Sequence, residues 1–192
     1  MAATFIAPAP PAPAIPACVP LMTFAEFEQL PNPPAGHYEL HHGELVTVPP
    51  PRYGHHRIQQ RLVRALWAAV GDSGEASTEM GFRALPDMEY RVADVAFVYE
   101  DRHQSIPLDG YLIGAPDLVV EVLSPSNSAH EILDKEPLCM ENGAKEFWIV
   151  DPVRSIVRVS PPDGRTRTYK TGQEIPLLFG GSIPVDSIFA SQ

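Results

Sequence analysis

Residues 92–98, VADVAFV, and 117–123, DLVVEVL, decide the fold. Both cluster apolar residues rather than alternating them with polar ones, as strands buried on both faces do. EFWIVD at 146–151 has the same character, and SIVRVS at 155–160 alternates cleanly, the pattern of a half-exposed strand. Between the second and third runs, SNSAHEILDKEPLCMENG reads as a helix ending near Gly143. Upstream, HHRIQQRLVRALWAAV at 55–70 is the clearest helix. Ile58, Leu62, Ala65, Leu66 and Ala69 recur at helical spacing, Arg57, Arg61 and Arg64 lie opposite, and Gly71 ends the segment. Strands interleaved with helices predict an α/β domain built on one mixed sheet.

Working outward, Thr23-Phe24-Ala25-Glu26 is a capping-box pattern that opens a short helix before Pro31. GHYELHHGELVTV at 36–48 predicts a β-hairpin turning at His42-Gly43. Residues 1–20 contain six Pro, seven Ala and no charge, which predicts a disordered, partly polyproline II leader. They lack the basic start and unbroken apolar run of a secretory signal. The expected organisation is therefore a leader over 1–20 and one domain over 21–192.

Composition narrows the function. The 192 residues carry 14 Lys+Arg against 24 Asp+Glu, a formal charge of −10, which argues against coating nucleic acid by bulk charge. A nuclease stays open, because metal-holding sites are themselves built from carboxylates. Two cysteines, Cys18 and Cys139, exclude a disulfide scaffold and fit a reducing cytoplasm. No stretch approaches the roughly 20 apolar residues of a membrane span, so no membrane partner is expected.

Two polar residues are out of place. Asp94 lies inside one apolar run and Glu121 inside another, and desolvating a charge is expensive. Strand alternation sets each opposite its immediate neighbours, so on adjacent strands the two can converge. Converging carboxylates repel unless a cation lies between them, and oxygen donors suit Mg²⁺ or Mn²⁺. That is the logic of metal-dependent phosphodiester hydrolysis, with a lysine stabilising the developing charge. His55, one turn before Ile58 and Gln59, projects toward the buried side of its helix, as a core histidine or as part of a site.

A series of motifs in order resembles one family: YELHHGELV (38–46), His55, RVADVAFV (91–98), GAPDLVVEVLSPSN (114–127), Lys135 and GAKEFWIVDP (143–152). From about Thr23 to Phe189 the chain is similar to the Uma-two endonucleases of bacteria, a branch of the PD-(D/E)XK superfamily. The resemblance implies a restriction-endonuclease-like mixed β-sheet flanked by helices, behind an N-terminal helix and β-hairpin. It also implies a Mg²⁺- or Mn²⁺-dependent endonuclease acting on DNA. The family's metal-binding Asp falls on Asp94, its second acidic ligand on Glu121, and the backbone carbonyl of Val122 would be a third. Its hairpin Glu falls on Glu39 and its helix-opening His on His55. Leu123 stands where the superfamily pattern has lysine, and Lys135 matches a lysine moved to the following helix. Glu131, Lys135 and Cys139 stand where the family has Asp, Lys and Tyr.

Pro137 leaves two readings of Lys135. With Asp134 as N-cap, Lys135 opens a helix and points inward; with a start at Ser128, Pro137 breaks the helix. Two other functions compete with the nuclease: a binding or regulatory module that kept the fold without the chemistry, and a structural domain whose carboxylates pair with Arg91, Arg83 or Lys145. A homodimer is compatible with cutting both strands of a duplex.

Overall fold

The computed structural model describes residues 20–124 and 129–189. Apart from Pro20, the leader expected over 1–20 lies outside the described residues. In chain order the elements begin with α1 (Phe24–Phe27), β1 (His37–His41), β2 (Glu44–Val48), α2 (Tyr53–Val70), β3 (Gly74–Arg83) and β4 (Arg91–Tyr99). There follow α3 (Glu100–His103), β5 (Leu112–Ile113), β6 (Leu118–Val122), α4 (Ala129–Glu141), β7 (Glu146–Asp151) and β8 (Ile156–Ser160). The chain closes with β9 (Arg167–Lys170), β10 (Glu174–Pro176), β11 (Ser182–Pro184) and α5 (Val185–Phe189).

The start follows its local chemistry. Thr23 and Glu26 form the reciprocal cap expected of them, which satisfies amides the first turn would leave orphaned. The β1–β2 hairpin turns through His42 (φ 51°) and Gly43 (φ 85°). Two successive positive φ values match the right-handed strand twist. At Gly43 a Cβ would also stand 2.8 Å from the Met88 side chain and 2.9 Å from Leu21. A further bridge, Leu40 to Tyr90, ties the hairpin to the chain entering β4.

Seven strands form the main sheet in the order β5-β3-β4-β6-β7-β8-β9. The β6–β7 pair is parallel, with α4 as its crossover, while β3–β4, β4–β6, β7–β8 and β8–β9 are antiparallel. One face carries Val95, Phe97, Leu118, Val120 and Trp148 against Leu62, Leu66 and Val70 of α2 and Ile188 of α5. The other carries Ala96, Val98, Val119 and Phe147 with Ile132, Leu138 and Cys139 of α4. Leu62 and Leu66 are fully buried, each contributing about 1.5–3 kcal/mol. The four expected strands are present within a residue or two of their expected bounds. The longest, β3, reads GEASTEMGFR and has no apolar period, so its place comes from pairing with β4 along its length.

Two local readings are corrected. Pro137 lies inside α4 and does not end it. The backbone carbonyl that loses its partner there belongs to Leu133, which is exposed, so water can replace the missing bond. Alternation also fails at Asp94. The β3–β4 ladder pairs Thr78 with Val95 and Met80 with Ala93, skipping Glu79 and Asp94 between them. Glu79 has φ 53°, left-handed backbone in the middle of a strand. Both strands change packing face at this step: Ala76 and Val95 lie on the α2 side, Phe82 and Ala93 on the α4 side.

Candidate active site

The step in the ladder turns Asp94 toward the N-terminal end of α2. Its Oδ1 lies 2.9 Å from His55 Nε2 and accepts from Gln59 Nε2 at 2.9 Å, and its Oδ2 accepts the Val122 backbone N–H at 2.7 Å. His55 and Gln59 stand four residues apart, so one helical face presents both. Gln59 is fully buried and also donates to Glu79, which faces Asp94 across the interrupted ladder.

Glu121 obeys alternation. Its neighbours Val120 and Val122 pack toward α2, and Glu121 meets α4 on the other side, where Lys135 Nζ stands 2.7 Å from its Oε1. Lys135 also donates to the Val92 carbonyl at 2.7 Å and is only 4% exposed. The lysine therefore points inward, as one sequence reading has it, but from the middle of a helix that runs through Pro137, which neither reading contained. Nor do the carboxylates pair with Arg91, Arg83 or Lys145: Arg91 binds Glu89 and Asp134, Arg83 donates to the Pro86 carbonyl, and Lys145 pairs with Asp117.

Glu39 reaches the same place from β1. Its Oε1 accepts the Val92 N–H at 3.0 Å, while His41 lies 2.6 Å from its Oε2. Val92 is thus held by Glu39 at its amide and by Lys135 at its carbonyl. A second cluster fixes the approach of α4: Arg91 joins Glu89 at 2.8 Å to Asp134 at 2.7 Å, and His42 from the hairpin turn touches both acids. Glu89 and Arg91 are fully buried. Asp134 immediately precedes Lys135, so this clamp sets where the lysine enters.

Electrostatics mark the pocket as short of positive charge. Burial pushes the Glu121 carboxyl up to about 8; Lys135 pulls the other way, and Asp94 and Glu39 add to the rise. On Lys135 burial acts downward, but Glu121 and Glu39 outweigh it and keep the ammonium charged. Burial lowers the pKa of His55, yet Asp94 and then Glu79 raise it above the ordinary histidine value. Glu39 is held well below the usual carboxylate range, because Lys135, His37 and His41 overcome its burial. Cys139, where the family has Tyr, is buried in the α4 core with its thiol pushed up to about 12 by burial.

Glu39, His55, Glu79, Asp94, Glu121 and Lys135 line one pocket of about 220 Å³, together with Val48 to Arg52. Sequence reasoning missed Gln59 and Glu79. Gln59 had a usable signal, an amide on the apolar face of α2 one turn after His55. Glu79 had none, since an exposed Glu in a polar run marks nothing.

A mixed sheet whose strands bring two acids into one pocket with a lysine from a flanking helix, beside an N-terminal hairpin, is a restriction-endonuclease-like nuclease fold. The chain belongs to the Uma2 family, described as "Putative restriction endonuclease", which it matches over residues 24–184. A crystal structure from Anabaena variabilis, described as "a putative nuclease", shares the fold with a TM-score of 0.76 at 22% identity, over 88% of this chain and 98% of that one. No curated protein matches. Among the described residues no helix is long and apolar enough to cross a membrane.

Proposed function

We propose that the protein is a Mg²⁺- or Mn²⁺-dependent endonuclease that hydrolyses phosphodiester bonds in DNA at the pocket holding Asp94, Glu121 and Lys135. One observation carries the reading: Lys135, displaced in sequence from Glu121, stands 2.7 Å from it beside Asp94's pocket. That restores the acid–acid–lysine set which Leu123 interrupts in sequence.

The donors suit a hard divalent ion. Among the described residues no three His, Cys, Asp or Glu side chains are grouped as a metal cage. Mg²⁺ does not need one, since it commonly uses one or two carboxylates and keeps water and phosphate oxygens as its other ligands. Asp94 and Glu121 would hold it, with the Val122 carbonyl as backbone ligand. When bound, such an ion polarises a phosphoryl oxygen and lowers the pKa of coordinated water. The chain does the rest. His55, Gln59 and the Val122 amide orient Asp94, Lys135 offers its ammonium to charge developing on phosphate, and Glu39 positions Val92 beneath it.

The test is cleavage of plasmid DNA with Mg²⁺ or Mn²⁺ alongside calorimetry of Mn²⁺ binding. Asp94→Asn should keep the fold, lose the ion and stop cleavage. Unchanged Mn²⁺ affinity in that variant would move the site elsewhere. A folded wild type that binds DNA yet cuts none with any divalent metal would be a binding module instead.

A further inference from the structure

We propose that the outer face of α2 is a track for a single DNA strand, which it leads into the Asp94–Glu121 pocket. The ligand class rests on the phosphodiester reading; the surface is read independently of it.

Charge is segregated along the chain. From Leu45 to Gly71 there is no Asp or Glu, while Arg52, Arg57, Arg61 and Arg64 fall within that span. The remaining ten basic residues face all 24 acids. Seven of those ten are ion-paired, whereas none of the four α2-segment arginines pairs with a described carboxylate. In a chain of charge −10, this is where a polyanion meets positive potential.

The arrangement is linear. Tyr53, Arg57, Gln60, Arg64 and Trp67 recur at intervals of four, three, four and three, a single helical stripe. From Tyr53 to Trp67 it runs about 21 Å at 1.5 Å per residue. Tyr53 is 76% exposed, and the Arg57 guanidinium sits 5.8 Å over its ring. Trp67, 55% exposed, is pinned by its indole N–H to the Ala76 carbonyl. A merely solvated face has no reason to display two large aromatics at the ends of its arginine stripe. Aromatics flanking arginines that pair with no described carboxylate let bases stack while phosphates are neutralised.

The stripe starts at the pocket. Arg52, next to Tyr53, lines it together with His55, so the arginine-bearing segment and the carboxylates Glu39, Asp94 and Glu121 border the same pocket. A base can stack on Tyr53 only when it is unpaired, which selects a single strand over an intact duplex.

The experiment is fluorescence anisotropy of a labelled single-stranded oligonucleotide with the full chain in EDTA, over a series of salt concentrations. Arg57→Ala/Arg64→Ala should weaken binding and lower the slope of log K against log salt by about 1.4, two contacts at about 0.7 each. Tyr53→Ala should weaken binding about ten-fold or more with the slope unchanged, as for a lost stacking contact. Unlabelled duplex should compete poorly. Arg61 is left alone because it reaches the Ile188 carbonyl. Unchanged affinity and slope in the double arginine variant, absence of binding by the wild type, or equal competition by duplex would each overturn the proposal. Cleavage by the wild type with unaltered binding in these variants sinks the track and leaves the nuclease reading standing. Stripe-dependent binding without cleavage does the reverse.

Discussion

The two ends of β6 carry buried carboxylates with opposite fates. Asp117, just before the strand, is 1% exposed and meets Arg102 at 2.9 Å, Lys145 at 3.2 Å and the Tyr99 amide at 3.1 Å. Glu121, four residues on and 6% exposed, has one cation, Lys135, and shares its pocket with Asp94 and Glu39. The first acid has two cations and an amide for one charge, and the second has one cation among several acids. Burial alone therefore does not mark a site. Unequal compensation does, because an under-neutralised acid costs free energy that persists only where a bound cation or a reaction uses it.

This contrast can be broken at either end. The largest effects belong to the Glu121 end. Glu121→Gln should reduce cleavage per folded molecule at least 1,000-fold, about 4 kcal/mol in the barrier. Lys135→Ala should reduce cleavage about 100- to 1,000-fold, with Mn²⁺ affinity unchanged or slightly higher because a nearby positive charge is gone. Wild-type rates in Lys135→Ala would return the lysine to a structural role.

At the other end, Asp117→Ala should cost about 2–3 kcal/mol by denaturant unfolding and leave the cleavage rate per folded molecule unchanged. The cost sits below that of a fully buried pair, because Arg102 and Lys145 are partly exposed and can rehydrate. A specific loss of activity in that variant would erase the distinction between the two ends.

A smaller effect concerns the clamp beside Lys135. Burial raises the Asp134 pKa, but His42 and Arg91 outweigh it and hold the carboxyl below its ordinary value. Its stabilisation is therefore present above the unfolded Asp range and lost as pH falls through the folded one. Asp134→Asn should cost about 1 kcal/mol at pH 7, and the gap from wild type should close toward pH 3. A gap independent of pH would mean that shape rather than charge holds the clamp. The smallest expected effect is at Glu79, where Glu79→Gly should raise stability by about 0.5 kcal/mol through relief of its left-handed backbone. A loss of stability would mean that the bond from Gln59 outweighs that strain.

Much of this was legible in residue order. The clustered apolar runs and the period of α2 follow from local burial demands, so the α/β class needed no tertiary information. An acid inside an apolar strand is conspicuous by composition, which is why Asp94 and Glu121 stood out before their neighbours were known. The route to convergence was not legible. Alternation places Glu121 correctly but fails for Asp94, where the skipped pair with Glu79 moves both strands to their other face. β3 itself was missed because strand pairing, not apolar pattern, holds it in place.

What the sequence by itself determined is the class of fold and the identity of the two strand acids, because apolar patterning and the cost of burying charge act over a few residues. Only the tertiary structure decided where Lys135 goes. Pro137 would stop an isolated helix. Packing of Ile132, Leu138 and Cys139 against the sheet, with the Arg91–Asp134 clamp, carries α4 through it and turns the lysine inward. The clamp joins residues 43 positions apart, and the summed free energy of clamp and packing exceeds the local penalty of one proline, about 3 kcal/mol.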